Sequence, residues 1–169
     1  MVPLRMPPDW NSPIPAWSST FADAVEQVSL CIIRSGQDWS STEGLQRREY
    51  LERMEPVLEA GMAFLRDRGQ EVNCHAGRYM REIGRDGAGT DRSLGPAYFR
   101  TMADLEGWAE THPTHLAIFK TFLGIAPKYG ANLQLRPWHE VSLLPAGNQF
   151  GEHANCAAGT GLLGGLASG

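Results

Sequence analysis

Histidine can act as an acid, a base or a metal ligand, and this sequence has five copies in 169 residues. Two of them share the stretch THPTHLAIFKTFLG, residues 111 to 124, where His112 and His115 stand three apart around a proline. At helical spacing His115 falls on the same face as Phe119 and Phe122, four and seven residues later. The pattern therefore predicts an imidazole on an apolar helix face, just after the helix begins.

A third histidine, His139, occupies a second apolar face. The alternation in NLQLRPWHEVSLL predicts a half-buried strand that places His139 beside Val141 and Leu143 and turns Trp138 to the other side, while its proline favours a sheet edge. A single histidine on an apolar face is more often a core residue than a ligand. An iron porphyrin, however, also needs a neutral imidazole nitrogen and apolar walls. The residues alone leave both interpretations open.

Composition argues against several other functions. A net charge of −4 without a basic stripe disfavours nucleic-acid binding, and no apolar run is long enough for a membrane span or a secretory signal. Cys31, Cys74 and Cys156 are odd in number and far apart, which disfavours a disulfide framework and favours a reducing, cytoplasmic location. His112 and His115 could share a zinc ion, but no thiolate or carboxylate at matching spacing completes the ligand set.

Four segments have the composition of strands. β-branched and apolar residues in EQVSLCIIRSGQDW predict the first, and VNCHAGRYMREIG and LGPAYFRTM predict a pair joined by the turn-rich RDGAGTD. The alternating segment around His139 is the fourth.

Two helical regions separate these strands. Ser40 followed by Glu43 predicts a capping box for the first, which should end at Gly69. Its apolar face recurs at helical spacing: Leu51, Met54, Leu58, Met62 and Leu65. Thr101 is a candidate N-cap for the second region, and Pro113 restarts the helix in the first turn. The order β-α-β-β-α-β predicts an α+β, ferredoxin-like fold, an antiparallel sheet with both helices on one face.

Composition also divides the chain into three parts. The first 17 residues hold five prolines and two tryptophans, which predicts an extended arm over residues 1–26. The glycine-rich AAGTGLLGGLASG predicts a flexible tail over residues 157–169. A single ferredoxin-like domain would occupy residues 27–156.

Four motifs carry a family resemblance that spacing alone could not supply. They are IIRSGQDW (32–39), GMAFLRDRGQ (61–70), WAETHPTHLAIF (108–119) and WHEVS (138–142). Together they resemble the second half of the aldoxime dehydratases, a family of haem-containing lyases, and the opening RMPPDWNSPIPAW resembles that family's N-terminal arm. The resemblance implies conversion of an aldoxime, R–CH=N–OH, to a nitrile and water, with the substrate nitrogen bound to ferrous haem. It also implies one ferredoxin-like half of a dimeric α+β barrel.

The same resemblance implies roles for three residues. His115, the second histidine of HPTH, corresponds to the axial ligand of the iron of haem b, and the domain over residues 27–156 would bind that haem. His139 of WHEVS corresponds to a distal histidine that handles the proton, and Ser35 of RSGQDW to a serine that hydrogen-bonds the oxime hydroxyl. Hydroxide is a poor leaving group, so dehydration needs a positioned acid. Without the resemblance, a serine before glycine indicates turn chemistry.

The chain also departs from the family pattern. Family members are longer, and here the arm is followed almost at once by the second-half strand near residue 28. The first half has no counterpart, and with it the family's catalytic arginine and an acidic pocket residue. A homodimer would be one way to cover the sheet face left exposed. Three functions stay open: an aldoxime dehydratase, a haem-binding protein without that activity, and a structural or dimerisation module.

Overall fold

The computed structural model describes residues 29–146 and 161–162, so the predicted arm and most of the predicted tail lie outside the described residues. The strands are β1 (Leu30–Asp38), β2 (Cys74–Gly77), β3 (Met80–Ile83), β4 (Gly89–Phe99) and β5 (Arg136–Leu144). The helices are α1 (Gly44–Glu49), α2 (Glu55–Arg68), α3 (Met102–Thr111) and α4 (Pro113–Ile125), with a π-helical turn (Tyr50–Met54) joining α1 to α2. None of the described helices is both long and apolar enough to cross a membrane.

The strands form one antiparallel sheet, which confirms the predicted α+β class. Their order is β2-β4-β1-β5, and β3 also pairs with β4. The predicted order β-α-β-β-α-β is present, with the second strand divided into β2 and β3 and the second helical region divided into α3 and α4. Among the described strands β5 pairs with β1 alone, and this edge position accommodates Pro137.

The helices pack against one face of the sheet. Cys31, Ala97 and Phe99 turn to this face and are at most 1% exposed. Their partners are apolar residues of α2 and α3: Met62, Phe64, Leu65, Leu105 and Trp108. A second apolar cluster surrounds Trp39 and Tyr50 and continues to the end of α4. The helix layer is therefore packed at two apolar clusters, and a space remains between these clusters.

Three of the four predicted helix boundaries are confirmed. The Thr101 hydroxyl accepts the backbone N–H of Asp104 at 3.1 Å, Pro113 is the first residue of α4, and α2 ends before Gly69. The predicted capping box is wrong. Glu43 is itself the N-cap of α1, in an extended conformation, and the Ser40 hydroxyl donates instead to the Asp38 carboxylate at 2.6 Å.

Candidate functional site

A cavity of about 540 Å³ lies between the helix layer and the sheet. Ser35 from β1, His115 from α4 and His139 from β5 all line it, although they come from three separate elements. Most of the remaining wall is apolar, including Met54, Leu58, Met62, Phe119, Phe122 and Val141. The structure thus brings together the three residues singled out in the sequence and confirms the shared face of His115, Phe119 and Phe122.

Strand register places the serine beside the distal histidine. Ser35 and His139 are directly paired in the antiparallel ladder of β1 and β5, and Ile33 pairs with Val141 one step along the same face. Opposed residues in such a ladder have Cβ atoms about 4.5–5.5 Å apart. A slip of one residue would turn one of the two side chains to the opposite face.

His115 is held by a backbone carbonyl. Its Nδ1 lies 2.6 Å from the carbonyl oxygen of Ala109, and a carbonyl can only accept, so Nδ1 carries the proton and Nε2 keeps its lone pair. Burial lowers the pKa of His115, and electrostatic repulsion from His139 lowers it further, although the hydrogen bond to Ala109 opposes the change. The ring is therefore neutral at neutral pH, the state that a metal requires of imidazole.

Trp108 forms the wall beside His115. The two rings lie 4.8 Å apart between centroids at an interplanar angle of 57°. Trp108 is only 6% exposed, and its indole N–H has no hydrogen-bond partner among the described residues. A buried donor without an acceptor costs about 1–3 kcal/mol, so the described residues leave one polar atom of this wall unsatisfied.

His112 serves the helix instead of the cavity. Its Nδ1 accepts the backbone N–H of Thr114 at 3.3 Å, which makes it the N-cap of α4, and its ring stacks on Phe64 at 4.1 Å. It is not among the residues that line the cavity. Within residues 29–146 and 161–162, no three His, Cys, Asp or Glu side chains are grouped to hold a metal ion, so nothing in this part of the chain supports the zinc interpretation.

Sequence reasoning missed three polar residues of the cavity wall: Gln37, Tyr79 and Glu106. Gln37 is 7% exposed and its side-chain oxygen accepts the Ser93 hydroxyl at 2.7 Å. Tyr79 donates to the Glu55 carboxylate at 2.9 Å, and burial raises the pKa of Tyr79 to about 12. Gln37 could have been found from the sequence, because it lies two residues after Ser35 in a strand and must share its face.

The strand β5 is more exposed than its sequence predicts. Val141 and Leu143 are 40% and 56% exposed, although the alternation predicted a half-buried strand. Val141 lines the cavity, which separates this part of the edge strand from α4. Trp138 turns its ring over Gly36 on the opposite sheet face, as predicted, and also reaches a second cavity of about 570 Å³ beside Arg34 and Met80.

Comparison with known proteins gives a consistent answer. Residues 18–162 match the family model described as haem-containing dehydratase. The chain is 45% identical to an aliphatic aldoxime dehydratase of Pseudomonas chlororaphis, 43% identical to that of Rhodococcus globerulus, and 34% identical to a phenylacetaldoxime dehydratase of Bacillus sp. (strain OxB-1). The crystal structure of an aldoxime dehydratase in complex with butyraldoxime superposes with a TM-score of 0.73 at 43% identity, over 80% of this chain and 37% of the other.

The chain spans less than two fifths of the length of these relatives. Each alignment covers 80% of this chain but only 37% or 38% of the relative. The family model nevertheless extends over most of the sequence, including every segment that lines the cavity. The chain therefore belongs to the haem-containing dehydratase family.

Proposed function

We propose that this chain forms the haem side of an aldoxime dehydratase, in which His115 is the axial ligand of haem b and an aldoxime is converted to a nitrile and water. The observation that carries this proposal is the meeting of His115, His139 and Ser35 along one cavity. The relatives, whose names describe them as aldoxime dehydratases, also support the proposal.

The cavity suits a haem on three physical grounds. Its volume of about 540 Å³ lies within the roughly 300–1,000 Å³ of small-molecule and cofactor sites. His115 offers a neutral Nε2, and the apolar side chains of the wall offer surfaces for the porphyrin ring. Ferrous haem would supply an electron-rich iron that binds the oxime nitrogen and weakens its N–O bond.

The residues opposite His115 would manage the proton and the hydroxyl. Dehydration of R–CH=N–OH breaks one C–H and one N–O bond and forms the second π bond of the nitrile. His139 would give a proton to the departing hydroxyl and recover one from carbon, so that water is the only other product. Ser35, its cross-strand partner, would donate a hydrogen bond to the same hydroxyl and hold it toward the imidazole.

A direct assay tests this activity. The full chain is loaded with haemin, reduced with dithionite without oxygen, and offered butyraldoxime or phenylacetaldoxime, and nitrile is measured by gas chromatography. We expect nitrile from the unmodified chain and a loss of about 10²-fold or more from His139→Ala, the range for a removed general acid–base. No nitrile from a fully haem-loaded chain would instead establish the second candidate, a haem-binding protein without dehydratase activity. That candidate requires only the cavity and the neutral imidazole of His115.

We also propose that the chain is one ferredoxin-like half of an α+β barrel completed by a second copy. The sheet face opposite the helices presents Trp138 and Met80, which are 44% and 42% exposed, and an ion pair between Arg34 and Glu140. A two-fold dimer brings the same patch together, so these opposite charges could pair reciprocally across it. A structural or dimerisation module would use the same surface.

Light scattering after size exclusion tests the dimer. We expect a dimer for the unmodified chain and a monomer for Trp138→Glu. Leu45→Glu is the control, because Leu45 is 58% exposed on α1 and lies outside this sheet face. A monomeric unmodified chain, or equal effects of the two variants, would contradict the dimer.

A reducing, cytoplasmic location completes the proposal. Its support is that Cys31 and Cys74 are free thiols with 0% and 2% exposure, packed as apolar side chains. Burial raises the pKa of the Cys74 thiol to about 12, which leaves it unreactive.

A further inference from the structure

The link between α3 and α4 is a single residue. His112 has φ −76° and ψ 133°, an extended conformation between two helical ones, and its N–H donates to the Trp108 carbonyl at 3.0 Å as the last bond of α3. Its carbonyl then accepts the N–H of Leu116 at 3.0 Å as the first bond of α4. The break is therefore sharp, and it falls three residues before His115.

Proline explains why the break falls there. In a continuous helix the Ala109 carbonyl would accept the N–H of residue 113. Pro113 has no N–H, and the residue before a proline is driven out of the α region, as His112 is. The Ala109 carbonyl is thus left open at the end of α3.

The His115 ring donates a hydrogen bond to that open carbonyl. Its Nδ1 lies 2.6 Å from the Ala109 oxygen, six residues earlier. Residues six apart in a continuous helix are turned about 240° from one another around the axis, so the ring could not reach. The hydrogen bond exists only because the chain changes direction at His112.

We propose that Pro113 is the positioning residue for His115: by keeping the helix broken and the Ala109 carbonyl free, it fixes the imidazole with its proton on Nδ1 and its Nε2 toward the cavity. A residue with an N–H at this position allows α3 and α4 to form one continuous helix. The new N–H then donates to the Ala109 carbonyl in place of His115. The proposal rests on the proposed function only in that Nε2 would meet a haem iron.

The test uses the haem-free full chain, so that it stands apart from haem binding. Nitrogen-15 NMR of labelled histidine, well above the ordinary histidine pKa, distinguishes the two neutral tautomers of His115. We expect the Nδ1–H form in the unmodified chain and a shift toward the Nε2–H form in Pro113→Ala. Pro127→Ala is the matched control, since Pro127 is an exposed proline in a 3-10 turn (Ala126–Lys128) away from the cavity.

Amide exchange in the same sample gives a second readout. The amide introduced at position 113 should be protected from solvent exchange if it has replaced His115 on the Ala109 carbonyl. Pro113→Gly adds the same N–H but is a poorer helix former, so its tautomer shift should be smaller, and it carries the test if Pro113→Ala does not fold. An unchanged tautomer in Pro113→Ala, or a glycine variant at least as affected as the alanine variant, would overturn the proposal.

The haem-loaded chain adds a spectroscopic check. A hydrogen bond at Nδ1 makes Nε2 a stronger donor to iron, so the iron–histidine stretching band of the ferrous protein should move to lower frequency in Pro113→Ala and stay in place in Pro127→Ala. A chain that binds no haem would contradict the proposed function while leaving the tautomer result intact. Retention of the unmodified frequency in Pro113→Ala would contradict the positioning role.

Discussion

At the scale of single residues, the site depends on how each polar side chain is satisfied before any ligand arrives. His115 donates a hydrogen bond from Nδ1 to the Ala109 carbonyl, and the side-chain oxygen of Gln37 accepts one from the Ser93 hydroxyl. Each of the two cavity residues, His115 and Gln37, therefore already has one polar atom engaged. Sequence could predict the type and face of His115, because helical spacing fixes which residues share a stripe. It could not predict the Ala109 partner, which depends on the angle between two helices.

Acid should destabilise the haem-free protein through His115. The folded pKa of this residue is below its ordinary value of about 6.5 because the ring is buried. Its stabilising effect is therefore complete above that pH. It is lost as the pH falls toward the folded pKa, because the unfolded chain takes up the proton first. Urea unfolding at a series of pH values should show the unmodified chain losing stability relative to His115→Gln below about pH 6.5. Parallel curves for the two proteins would contradict this prediction.

Ser35 should matter to turnover but not to haem binding. We expect Ser35→Ala to lower nitrile formation about 10-fold, the cost of one hydrogen bond to a reacting group, while haemin titration is unchanged. Ser142→Ala is the matched control, because Ser142 lies on β5, pairs with Ile32 of β1 and is not among the residues that line the cavity. Equal rates for both serine variants would remove Ser35 from the mechanism.

At the scale of elements, the site is made by register and by packing distance. Alternation within β1 and β5 predicts which residues share a face, but the pairing of Ser35 with His139 is a long-range property that no local pattern contains. The failed capping box is a related case. The Ser40 hydroxyl is taken by Asp38, which local propensity cannot weigh against a helix cap.

Close packing of β2 on α2 gives a prediction at this scale. A Cβ at Gly77 would lie 2.8 Å from Leu65 Cβ and 3.2 Å from the Leu65 backbone, so the helix would have to move. Gly77→Ala should therefore lower the free energy of unfolding by about 1–3 kcal/mol. Gly107→Ala, at an open position on α3, should raise it by roughly 1 kcal/mol through helix propensity. Calorimetry of both variants checks the pair, and a neutral Gly77→Ala would contradict the packing described here.

At the scale of the whole molecule, two apolar clusters border the cavity, and one of them packs the helix layer directly on the sheet. One cluster contains Cys31 and Phe99, the other Trp39 and Tyr50, and the cavity lies between them. The element order and α+β class could be predicted, since each segment's period and turns are local. The size of the cavity and the exposure of β5 could not, because both depend on the spacing between layers.

The identity of the iron ligand is tested most directly by a haemin titration measured at the Soret band. We expect saturation at a single haem per chain, loss of the band in His115→Gly with recovery on adding imidazole, and retention of the band in His139→Ala. A His115→Gly chain that titrates like the unmodified one, or a band lost only in His139→Ala, would contradict the assignment of His115 as the iron ligand.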